Sequence, residues 1–79
     1  MKYRIHATWN GSPVVAGECS AVMAHAITRA LADNYVNPDK AGVVLPTLED
    51  LVNAPVGAII EGYGDDGTGR MVFCLGAQE

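Results

Sequence analysis

Two cysteines and two histidines are the side chains best suited to chemistry in this sequence: Cys19, Cys74, His6 and His25. Cys19 stands just before Ser20, a good helix N-cap, and a helix N-terminus lowers a thiol's pKa and raises its reactivity. His6, on a strand-like segment upstream, would serve as its base. No third residue orients that histidine and no oxyanion-binding loop accompanies the pair, so a small Cys19-dependent enzyme ranks third among the functional readings. As metal ligands the same residues are poorly spaced. Structural zinc sites take close pairs such as Cys-x2–4-Cys or His-x3–5-His, whereas Cys19 and His25 make one loose pair and the others are scattered. No metal and no cofactor is expected. Without a CxxC motif or a signal peptide, Cys19 and Cys74 read as reduced thiols of a cytoplasmic protein, with a disulfide as the alternative.

The glycine-rich segment Gly62-Tyr63-Gly64-Asp65-Asp66-Gly67-Thr68-Gly69 lacks the lysine and following helix of a P-loop. It also lacks the alternating ligands and terminal glutamate of an EF-hand. It reads as a turn with an acidic tip, a contact point for a basic partner. Lys2, Arg4 and His6 form a basic row too small for nucleic-acid affinity. The carboxylates are the stronger signal. Residues 41–79 carry Glu49, Asp50, Glu61, Asp65, Asp66 and Glu79 against Arg70 alone, while residues 1–40 are close to neutral. An acidic half repels nucleic acid and attracts basic surfaces. Glu49, Asp50, Glu61, Asp65 and Asp66 are therefore the candidate partner-binding set, and direct nucleic-acid binding is not expected.

These residues must be positioned by a small scaffold. The 79 residues are 49% hydrophobic and 18% charged, with a net charge of −4. That composition excludes a disordered tail, and no apolar run approaches the roughly 20 residues of a membrane span. One domain, 1–79, is expected. Tyr3, Ile5, Ala7 and Trp9 alternate with Lys2, Arg4, His6 and Thr8, the pattern of a half-buried strand. Asn10-Gly11 signals a hairpin into a second strand ending at Glu18 or Cys19. An unbulged register turns Val14 and Ala16 inward; a bulge turns in Val15 and Cys19 instead. Trp9, beside that turn, would be part-exposed and able to anchor a contact.

From Ser20 to about residue 35, Val22, Met23, Ala26, Ile27, Ala30, Leu31 and Tyr35 recur at helical spacing and are expected to face the core. The opposite face, with Ala21, Ala24, His25, Thr28 and Ala32, is small and nearly uncharged. It is the candidate helix interface for a partner or a second copy. Val43-Val44-Leu45 is either a brief strand or a packed connector. Thr47 and Asp50 resemble a capping box opening a short helix with Leu48, Leu51 and Val52 inward. An Asp66-Gly67 turn would close a second hairpin with Gly62 opposite Met71, Ile60 opposite Phe73 and Ala58 opposite Leu75. The expected fold is α+β, an antiparallel sheet of about four strands with one main and one short helix, in the order β-β-α-α-β-β.

Met1-Lys2-Tyr3 through Trp9, then Gly17-Glu18-Cys19 and the helix after it, resemble the opening of the HicB-type antitoxins, which begin with a strand pair and a helix. The family's glycine-threonine motif and Glu-Ala pair at that helix start are absent here, and its DNA-binding tail is not expected. The resemblance covers under half the chain. It implies an antitoxin-like or other regulatory homodimer acting through residues 20–35. In type, the whole chain is similar to the anti-CRISPR proteins of phages and mobile elements: short, acidic, α+β, without a catalytic constellation. Those proteins share no motif, so no residue is carried over. The resemblance implies a non-enzymatic inhibitor, acting in the cytoplasm of a host cell, that blocks a basic nucleic-acid-binding surface of a CRISPR effector subunit.

Overall fold

A computed structural model describes residues 2–79. Met1, the first residue of the HicB-like opening, lies outside them. Strand β1, Lys2–Trp9, follows its alternation: Tyr3, Ile5 and Ala7 are buried while Lys2, Arg4 and His6 are exposed. Asn10 and Gly11 turn the chain with φ of 51° and 85°, the left-handed pair that a type I′ hairpin needs. Strand β2, Ser12–Ser20, starts in the register of that turn, with Trp9 opposite Ser12 and Thr8 opposite Pro13. One residue then slips, and Ala7 faces Val15. This is the bulged alternative. Val15 and Cys19 turn toward the core, and Ala16 is exposed.

Strands β4, Ile59–Asp65, and β5, Arg70–Gln78, form the second hairpin. Its register corrects the expected one. Asp65 faces Arg70, Gly62 faces Phe73 and Ile60 faces Leu75, two residues away from the pairing of a tight Asp66-Gly67 turn. The pleat has period two, so the even shift leaves every side chain on its expected face. Met71, Phe73 and Leu75 are fully buried, and Ile59, Glu61, Tyr63 and Cys74 are exposed. The cause is a four-residue connection, 66–69, wrapped around the Asp66 carboxylate. Oδ1 accepts hydrogen bonds from the Thr68 hydroxyl (2.6 Å), the Thr68 N–H (2.9 Å) and the Gly69 N–H (3.0 Å). Oδ2 accepts one from the Asn37 N–H at 2.8 Å.

Between the hairpins lie helix α1, Ala21–Tyr35, strand β3, Gly42–Val44, and helix α2, Leu48–Asn53. The short Val43-Val44 segment pairs with β4, so the sheet has five antiparallel strands in the order β2-β1-β5-β4-β3, one more than expected. The chain order becomes β-β-α-β-α-β-β within an α+β fold. Ser20 caps α1 by accepting from the Met23 N–H at 3.1 Å. Thr47 and Asp50 close a reciprocal capping box at α2.

Both helices pack on one face of the sheet, but α1 is turned away from the expected orientation. Ala21, Ala24, Thr28 and Ala32 are its buried residues, whereas Val22 and Met23 are 63% and 54% exposed. Ala26, Ala30 and Tyr35 are exposed too, and Ile27 and Leu31 lie half-buried. The reason is division of volume. Tyr3, Met71, Phe73 and Leu75 from the sheet and Leu51 from α2 are the large, fully buried side chains. They fill the interlayer space, and only small residues of α1 fit above them. In α2, Leu51 alone is buried, and Leu48 and Val52 are exposed, contrary to expectation. The Tyr3 hydroxyl donates to the Leu51 carbonyl at 2.6 Å, tying α2 to β1.

Candidate functional site

The sheet face opposite the helices is open. His6 is the Cα partner of Cys74, and Cys74 of Glu61, so these three stand in a row across β1, β5 and β4. Cys19 is on the other face, half-buried, and burial pushes its thiol pKa up rather than down. The expected Cys19–His6 pair is therefore not brought together, nor are Cys19 and Cys74, both of which are free. In the observed row the thiol lies between histidine and carboxylate. A relay needs histidine in the middle, so that the acid can orient it. β1 and β5 are interior strands whose N–H groups are engaged in the two flanking ladders. Among the described residues no group of three or more His, Cys, Asp or Glu is arranged to hold a metal ion. The His6–Cys74 adjacency has no signature in the sequence, because it depends on pairing between the first and last strands.

The carboxylates separate into two kinds. Glu49 and Asp50 occupy the first turn of α2, where the helix dipole favours them. Asp50 and Glu61 line one groove between α2 and β4, with Val44 and Pro46 at its wall. Gly62 makes that groove. A Cβ there would lie 2.9 Å from the Val44 carbonyl oxygen and 3.2 Å from Pro46 Cδ, so glycine lets the chain leave β3 and cross to α2. β3 consequently pairs only with residues 63–65 of β4, and Ile59–Gly62 has no strand partner on that side. Asp65, four residues along β4 from Glu61 on the same face, is exposed, and its Oδ1 accepts the Gly67 N–H at 2.9 Å. Arg70 stacks over the Tyr63 ring, 5.4 Å from its centroid.

Asp66 belongs to the other kind. It is 7% exposed, all its recorded hydrogen bonds are internal, and they hold its pKa far below the usual carboxylate range. It is a structural staple and leaves the partner-binding set. The helix set is corrected as well: Ala21, Ala24, Thr28 and Ala32 are buried against the sheet and His25 is half-buried, so they do not form an outer interface. Trp9 is part-exposed as expected. Its ring lies against Gly69, where a Cβ would collide with it, and 5.6 Å from the Tyr35 ring.

Several exposed apolar residues lie outside the expected site. Val52 on α2, Val56 in the next loop, Ile59 at the start of β4 and Val44 on β3 are all exposed, Ile59 by 68% and Val56 by 58%. Of these four, only Val52 was expected to face inward. Val44 lines the groove that Asp50 and Glu61 share, and Ile59 lies on the open sheet face beside Arg4, His6 and Cys74. The only signal for them was the mixed character of the far face of the second hairpin. Comparison with protein-family models, curated proteins and solved structures gave no match.

Proposed function

We propose that the chain is a non-enzymatic inhibitor that binds a larger partner protein by covering a basic surface. The target class is the one its anti-CRISPR resemblance implies: a nucleic-acid-binding surface of a CRISPR effector subunit, met in the cytoplasm of a host cell. One observation carries this reading. Exposed Val44 shares the groove between α2 and β4 with the exposed carboxylates Asp50 and Glu61, and Glu49 precedes Asp50 in the first turn of α2. An apolar centre with a charged rim is the anatomy of a protein interface, and carboxylates are the groups that pair with Lys and Arg otherwise holding phosphates.

The test is capture from host lysate by immobilised wild type and by Glu49→Lys/Glu61→Lys, chosen because neither side chain has a recorded internal hydrogen bond. The expected outcome is a nucleic-acid-binding protein retained by wild type, released by added polyanion, and lost by at least tenfold in the variant. Equal retention by both chains contradicts the proposal.

A regulatory homodimer is the second reading, moved to the observed outer face of α1. Val22, Met23, Ala26 and Ala30 are exposed there and uncharged. If that face pairs two copies, Met23→Lys/Ala26→Lys converts a dimer to a monomer in sedimentation. A wild type already monomeric at high concentration excludes this reading.

A further inference from the structure

The two outer strands of the sheet, β2 and β3, are finished differently. β3 is three residues long and Pro46 follows soon after it, which blunts that edge. β2 is nine residues long, its one charged residue is Glu18, and beyond the bulge near Pro13 it runs regularly from Val15 to Ser20. Such an edge presents a row of N–H and C=O groups that form a template for another strand. The core is open along the same edge. Val15 and Cys19 turn inward but stay half-buried, as do Ile27 and Leu31 of α1, which share core clusters with Val15. Tyr3, Ile5 and Ala7 on the neighbouring strand are buried by contrast. Gly17 stands between Val15 and Cys19 on that inner face, and a Cβ there would find nothing within 4 Å beyond its own chain neighbours.

We propose that β2 pairs antiparallel with β2 of a second copy of this chain, joining the two sheets into one across a twofold axis at Gly17. A strand from an unrelated peptide would satisfy the edge N–H and C=O groups but would bring no helix layer. A second copy brings both. In this pairing the two α1 helices fall on the same face of the joined sheet, and each open core closes the other. Charge and pleat set the register. Centred on Gly17, the pairing places Val15 opposite Cys19 of the second copy and Glu18 opposite its Ala16. Centred on Glu18, it would set two carboxylates directly against each other. Pairing even-numbered with odd-numbered residues would put the helices on opposite faces. Charge also selects this side of the molecule. Residues 1–40 are close to neutral, and the acidic β4 lies toward the opposite edge, so two chains of net charge −4 meet where repulsion is least.

The test is sedimentation equilibrium of the full chain together with amide hydrogen exchange. The wild type is expected to dimerise, and alternate N–H groups along Val15–Ser20 to gain protection as the dimer fills. Gly17→Lys places its side chain in space that the single chain leaves open, so the monomer tolerates it. In the dimer it sets two ammonium groups against each other at the axis, and association weakens by about tenfold or more. A pairing through the outer face of α1 would be indifferent to that substitution. The proposal is overturned by a wild type that stays monomeric at millimolar concentration, or by Gly17→Lys dimerising as tightly as wild type. It is equally overturned by a dimer whose β2 N–H groups exchange as fast as in the monomer, which would assign the contact to another surface.

Discussion

Asp66 accepts three hydrogen bonds from its own loop and one from Asn37, at the exit of α1. The Thr68 hydroxyl contributes most to its lowered pKa, followed by the backbone N–H groups of Asn37 and Thr68; burial works in the opposite direction. A carboxylate whose pKa falls on folding stabilises the fold above its unfolded pKa of about 3.9 and loses that contribution as pH falls toward the folded value. Asp66→Asn should therefore unfold at a lower temperature than wild type at neutral pH. The gap should narrow between about pH 4 and pH 2, read by thermal melts across that range. A constant gap would mean that the ionised form carries no special role. The acidic turn was legible in residues 62–69, but the inward aim of Asp66 was not, because its last partner is 29 residues away in sequence.

The elements show what periodicity does and does not determine. The helical span, its Ser20 cap, the capping box at Thr47 and the alternation of β1 were all readable, because each depends on neighbours within one or two turns of chain. The facing of α1 was not. Its larger apolar residues define a credible stripe, yet the sheet and α2 already supply the bulk of the core, and the alanine face is the one that fits. Ala24→Leu is accordingly expected to destabilise by about 1–3 kcal/mol through overpacking. Met23→Lys should stay within about 0.5 kcal/mol of wild type. Chemical denaturation checks both, and the reverse order would restore the orientation expected from the sequence. The same limit explains the second hairpin, where faces were legible and register was not. The brief β3 gains its identity as a strand only by pairing with β4.

Over the whole molecule, the charge asymmetry of the sequence becomes an asymmetry in space. In the order β2-β1-β5-β4-β3 the near-neutral first-half strands occupy one side and the acidic second half the other. The surplus of apolar residues over charged ones likewise takes a location, along the outer face of α1 and the α2–β4 edge. The candidate site was thus legible as charge. Its groove emerged only when Val44 paired into the sheet and Gly62 let the chain cross from β3 to α2 beside Asp50 and Glu61. The most direct test is competition on the captured partner: its affinity for the chain, measured with and without its own nucleic acid. Mutually exclusive binding is predicted, with affinity for the chain falling in proportion to the nucleic acid added. A stable ternary complex with unchanged affinity would contradict the account.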